Sequence, residues 1–131
     1  MNTKLLQETL AKSMSGENAF PDVVRVLTAE GVESYRADLV RQEETFYMLN
    51  GETHVEKVTF TPTPIAAEFD AFRVKAAIAA SQAGQIKYRE FLRRAMEAGT
   101  TSYVVYLNGK RCIYFGRNGD LHVEEFPGAK V

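Results

Sequence analysis

The 131-residue chain has one cysteine, two histidines and no tryptophan. A lone Cys112 excludes an internal disulfide and fits a reducing compartment. Net charge is −1, so no global field draws the chain to nucleic acid or an anionic membrane. The longest apolar run is Ala76–Ala80, far below the ~20 residues that a membrane span needs. The start, "MNTKLLQETLAKSM", has no apolar stretch of signal-peptide type. These absences point to a cytoplasmic protein with no membrane contact. Reactive motifs are also missing. "YFGRNGD" has the wrong spacing for a phosphate loop or a dinucleotide fingerprint, and "MSGENAF" lacks the nucleophile-elbow pattern. Cys112 sits mid-strand between Arg111 and Ile113, the setting of a buried structural thiol; exposed, it would have its pKa lowered by Lys110 and Arg111. No cofactor is implied, and the chain leans toward a non-enzymatic protein.

What is present is a repeat. "NGETHVE" at Asn50–Glu56 returns as "NGDLHVE" at Asn118–Glu124, 68 positions on, and the two phrases hold both histidines. At the same offset, residues 20–58 align with 88–126 without a gap, with 10 identities in 39 positions. They include Gly31/Gly99, Ser34/Ser102, Tyr35/Tyr103 and Leu39/Leu107. The matches fall at turn glycines and strand aromatics, where geometry restricts residue type. An internal duplication is expected, with pseudo-repeats over about 3–58 and 71–126. Pro62 and Pro64 mark a linker over about 60–68, because proline blocks both helix and ladder pairing. By length the whole chain, 1–131, is one domain.

Each half reads as two helices followed by three strands. "TKLLQETLAKSM" and "AFRVKAAIAAS" have helical spacing. "PDVVRVLTAE" opens with a first-turn proline and an early aspartate, and Gly31 closes it. In "KYREFLRRAMEA", Tyr88, Phe91, Leu92, Ala95 and Met96 share one stripe, and Gly99 ends the helix. "SYVVYLNGKRCIYFGRNGDLHVEEF" alternates β-branched and aromatic residues around Asn-Gly turns, a strong hairpin signal. The expected fold class is α+β: a pseudo-duplicated helix–helix–three-strand unit, antiparallel meanders covered by helices on one face.

The helix "YREFLRRAMEAG" followed by "SYVVYLNGKRCIYFGRNGDLHVEEF", with the earlier "FPDVVRVLTAEGVESYRADL", resembles the YdfO-like family, domain of unknown function 1398. The resemblance covers nearly the whole chain and rests on glycine and aromatic spacing. It implies a compact α+β fold and bacterial or prophage ancestry. It supplies no activity and no catalytic residues.

Candidate site residues come from the repeated phrases. On a strand, residues i and i+2 share a face, so His54 points with Glu56 and His122 with Glu124. Val55, Val123 and Leu121 then point the other way, toward the expected core. Were the two third strands brought together, two histidines and two glutamates would form a ligand set for a divalent metal. The competing reading is a polar strand face with His–Glu pairs, and no metal is expected. Tyr35 and Tyr103, in matching Gly-x-x-Ser-Tyr phrases, read as packing residues or as phenols that orient a ligand. Seven basic residues face two acidic ones between Gln85 and Arg117. Their mixture with glutamates on a helix reads as a solvated face rather than a nucleic-acid site. The leading functional reading is a protein-binding module that uses its open sheet face or edges, with a homo-oligomer among its outcomes. The alternative is a metal- or small-ligand-binding protein built on the two His-x-Glu phrases.

Overall fold

A computed structural model of the chain describes residues 1–127; the last four residues of the expected single domain lie outside the described residues. The elements are α1 (Thr3–Ser15), α2 (Phe20–Glu30), β1 (Val32–Asp38), β2 (Glu43–Met48), β3 (Thr53–Lys57), α3 (Ala71–Gln82), α4 (Tyr88–Glu97), β4 (Thr100–Tyr106), β5 (Arg111–Gly116) and β6 (Leu121–Glu125). Each second-half element begins 68 residues after its counterpart. The fold is α+β, as expected. No helix among the described residues is long and apolar enough to cross a membrane.

Local chemistry sets the element boundaries. The Asn2 side chain accepts from the Leu5 N–H and starts α1, and Asp70 does the same for α3 through the Arg73 N–H. Asp22 accepts from the Ala19 N–H at 2.9 Å, with Pro21 in the first turn of α2. Gly31 and Gly99 leave their helices at φ +92° and +96°, a conformation that favours glycine. In α3, Val74, Ala77 and Ile78 are buried at i, i+3 and i+4, whereas Phe72 is 83% exposed. Two positions before Val74, Phe72 falls on the far side of the helix.

The six strands form one antiparallel sheet in the order β3-β2-β1-β4-β5-β6. The halves meet at β1 and β4. There Tyr35 pairs with Val105 and Ala37 with Tyr103, on either side of Arg36–Val104. The 68-residue offset exchanges these pairs, so the hydrogen-bond register maps onto itself about that point. Register shifts recur at Val32/Ser34 and Thr100/Ser102. The turns match too. Gly51 and Gly119 have φ +91° and +82°, and Gln42 and Lys110 have φ 54° and 55°. In "LNGK" the left-handed residue is therefore Lys110 rather than Gly109, the geometry of a type I turn followed by one αL residue.

One sheet face carries the helices and the core. Two rows of side chains cross it. The first runs His54, Phe46, Tyr35, Val105, Cys112, Glu124; the second runs Glu56, Glu44, Ala37, Tyr103, Tyr114, His122. This corrects the expected facing of the edge strands. His54, Glu56, His122 and Glu124 point to the helix side and are half-buried, while Val55, Leu121 and Val123 are exposed on the other face. Cross-strand partners share a face, and buried Phe46 and Tyr114 sit opposite His54 and His122. These edge-strand side chains keep part of their surface exposed, so polar groups are tolerated on the helix side.

Candidate functional site

The two helices that match one another lie differently on the sheet. In α4, Phe91, Leu92, Ala95 and Met96 are buried; in α2 only Leu27 is. The α2 positions matching Phe91 and Leu92 hold Val23 and Val24, which are only half-buried. Helix α4 packs through a wide apolar stripe, and α2 packs more loosely, through Leu27. Beneath α2 lies a cavity of about 850 Å³, within the range of small-molecule sites.

Its floor is the middle of the two inner rows: Tyr35, Phe46, Tyr103, Tyr114, Val105 and Cys112, with Glu44 among them. Its walls are Leu10 and Ser13 of α1, Ile78 and Ser81 of α3, and the first turns of α2 and α4. Many of these are counterparts at the 68-residue offset, so the cavity straddles the sheet's symmetric point. The exposed rim includes Glu17, Ala19, Pro21, Gln82 and Lys87, around the α1–α2 and α3–α4 turns.

The aromatic packing is directional. Phe91 meets Tyr103 and Tyr114 edge-on, with ring centroids 6.3 and 6.2 Å apart, and stacks on Tyr88. Tyr103 and Tyr114 lie 5.3 Å apart. Within this apolar surround the polar groups converge. The Tyr88 and Tyr103 hydroxyls share a hydrogen bond. Glu44 is 4% exposed. Burial pushes its carboxyl up to about 8, and hydrogen bonding to Tyr88 offsets part of that rise. At neutral pH Glu44 is therefore mostly protonated. Burial also pushes the Cys112 thiol up to about 12, which makes it a poor nucleophile. Burial holds the buried Tyr35, Tyr103 and Tyr114 and the partly buried Tyr88 well above the ordinary phenol range, so they act as neutral hydrogen-bonding groups.

The residues singled out in the sequence divide between this cavity and the sheet edges. Tyr35, Tyr103 and Glu124 line the cavity. His54 bonds Glu56 at 2.6 Å on β3, and His122 bonds Glu124 at 2.9 Å on β6. These strands are the opposite edges of the sheet. Five strand spacings separate them, on the order of 24 Å. The two phrases do not form one site. No group of three or more His, Cys, Asp or Glu among the described residues is placed to hold a metal ion. Of the basic cluster, Arg93 pairs with Glu90 and Glu97, Arg94 with Glu90, and Arg89 donates to the Met14 carbonyl.

Glu44, Tyr88 and Tyr114 were not singled out from sequence. Glu44 stands in "RQEETFYM", one of two adjacent glutamates beside a turn. The available signal was period two, which places Glu44 on one face with Phe46 and Met48.

Comparison with known proteins gives a family and no activity. The family described as "Protein of unknown function (DUF1398)" matches residues 40–125, a span that includes Glu44, Tyr88, Tyr103, Cys112 and Glu124. Two curated relatives are "Uncharacterized protein Rv2012" of Mycobacterium tuberculosis (strain ATCC 25618 / H37Rv) and "Uncharacterized protein Mb2035" of Mycobacterium bovis (strain ATCC BAA-935 / AF2122/97). Each is 29% identical over 135 residues, covering 98% of this chain and 79% of the relative. With more than half of its length matched by the family model, the chain belongs to the DUF1398 family of proteins of unknown function.

Proposed function

We propose that this protein is a non-enzymatic binder of a small, largely apolar molecule, held in the cavity between α2 and the sheet. One observation carries the reading: an aromatic-lined cavity of about 850 Å³ into which a few polar groups, Glu44 and the Tyr88–Tyr103 hydroxyls, converge. Nothing in the lining resembles a nucleophile with its base. The thiol is protonated, and the two histidines lie toward the edges of the sheet, each beside its own glutamate. A duplicated ancestor accounts for the layout, since two like units joined at β1 and β4 leave a space between their helix layers. The YdfO-like and prophage connection concerns ancestry and adds no ligand.

The test uses Nile red, a neutral fluorophore, titrated into the native protein. Saturable 1:1 binding is expected. It should be lost in Val23→Trp, which fills the cavity from α2, with the circular dichroism spectrum unchanged. No saturable binding, or binding that Val23→Trp leaves intact, overturns the reading.

The partner-binding reading has separate support on the open face. Tyr47, Val55, Tyr106, Leu121 and Val123 are between 37% and 56% exposed there. Three of these, Tyr106, Leu121 and Val123, lie on β4–β6. A second copy stacked about a twofold axis sets this half against itself. Sedimentation equilibrium of wild type and Val123→Lys decides it: a dimer that dissociates in the variant supports this reading, and a wild-type monomer at 100 μM removes it.

A further inference from the structure

We propose that the ligand of this cavity is a hydrophobic organic cation, its positive centre held between the Glu44 carboxylate and the surrounding aromatic rings. This deepens the proposal above and rests on it. The first reason is the charge distribution. Among the described residues, Glu44 is the one carboxylic acid of the lining that is fully buried, and the basic residues of the lining, Arg25 and Lys87, stand exposed at the rim with partners of their own. Lys87 donates to the Gly16 carbonyl at 3.2 Å, and Arg25 pairs with Asp22 at 3.2 Å. No basic group of the lining neutralises Glu44. Glu17 at the mouth adds negative charge to the path.

The second reason is the rings. Tyr35, Phe46, Tyr88, Phe91, Tyr103 and Tyr114 all line the same space. Aromatic faces attract a desolvated cation and give nothing comparable to an anion. The third reason comes from the counterpart position. Glu44 matches Cys112 at the 68-residue offset, and both are buried on the inner face beside equivalent neighbours. The fold therefore accepts a small neutral side chain at this place. A buried carboxylate whose hydrogen-bond partner is a neutral phenol lacks a compensating charge, and a cationic ligand is the chemistry that supplies it.

The groups facing Glu44 are Tyr88 from α4, Tyr35 from β1, Tyr103 from β4, and Glu56 opposite on β3, which is bonded to His54. None supplies a fixed positive charge at Glu44 itself. Binding of a cation ionises Glu44 and releases a proton. Affinity then rises about tenfold per pH unit up to about pH 8 and levels above it.

Three probes separate the possibilities in calorimetric titrations of the full chain: tetraphenylphosphonium, its anionic counterpart tetraphenylborate, and neutral Nile red. The proposal expects 1:1 binding of tetraphenylphosphonium at least tenfold tighter than tetraphenylborate. It expects tetraphenylphosphonium to lose at least tenfold in affinity in Glu44→Gln, and to lose more than Nile red does. Tetraphenylborate binding as tightly, or Glu44→Gln keeping full affinity for the cation, overturns the cation assignment. Nile red binding without tetraphenylphosphonium binding also overturns it and leaves the apolar-binder reading standing. Loss of all three in wild type removes both. Should Glu44→Gln not fold, the pH dependence of wild-type affinity decides: a flat profile between pH 6 and 8 is fatal to the proposal.

Discussion

Helices α2 and α4 occupy matching positions over one sheet, and they do opposite jobs. Helix α4 buries four side chains and fastens the second half; α2 buries one and roofs a cavity. The difference is a matter of side-chain size along two equivalent stripes. Phe91 meets Tyr103 and Tyr114 of the sheet, whereas its counterpart Val23 is half-buried and lines the cavity. Near-symmetric halves thus give an asymmetric site: Glu44 answers Cys112, Phe46 answers Tyr114, and Phe20 answers Tyr88. A symmetric scaffold supplies the space, and a few unmatched positions supply its chemistry.

The largest expected effect tests Glu44 against its neutral counterpart. Its folded-state pKa of about 8 lies above the ordinary value of 4.5. Between these values the folded state holds a proton that the unfolded state has lost, so stability falls as pH rises. From pH 5 to pH 9 this group should remove about 4 kcal/mol. Glu44→Gln should flatten that slope in urea titrations across the range; an unchanged slope would show that Glu44 is not the titrating group.

Next comes the difference between the helices. Leu92→Ala should cost about 3 kcal/mol, because Leu92 is 1% exposed in the core. Its counterpart Val24→Ala should cost less than about 1 kcal/mol, since that side chain borders a cavity already present. Equal denaturation midpoints for the two variants would contradict the looser packing of α2.

A smaller effect, and here an equal one, is expected at the turns. Gly51 and Gly119 both have positive φ and open space around the missing Cβ. Replacing either with valine should cost roughly 1 kcal/mol through backbone strain alone. Unequal losses, measured by thermal melts, would mean the turns are not equivalent.

The smallest effect has the opposite sign. Thr100 is fully buried, and among the described residues its hydroxyl has no hydrogen-bond partner. Its counterpart is Val32. Thr100→Val should raise stability by up to about 1 kcal/mol, and a loss on calorimetry would reveal a partner for the hydroxyl.

Much of the fold was legible because the repeated signals are backbone signals. Gly31 and Gly99 need positive φ, and the Asn-Gly pairs before Glu52 and Asp120 mark turns, so they declare element ends directly. Facing was harder. "THVEK" and "LHVEE" alternate correctly, but alternation alone does not say which set faces in. At a sheet edge both faces are part-exposed, so hydropathy chose wrongly for Val55 and Val123. The site was least legible. A cavity is a deficit of side-chain volume between elements distant in sequence, and no local pattern records it. Tyr35 and Tyr103 were found because they repeat; Glu44 escaped because it does not.

The β1–β4 seam also governs how the chain folds. Every other strand pairing closes within a hairpin, whereas Ser34–Tyr106 and Asp38–Ser102 join residues separated by about half of the chain. Closing a loop of about 68 residues costs roughly 2 kcal/mol more than closing a hairpin loop, and that entropy is spent before the seam returns any contact energy. Each meander can assemble locally, so docking of the two meanders becomes the slow step. The linker between them then acts as a tether that sets the effective concentration of one half for the other.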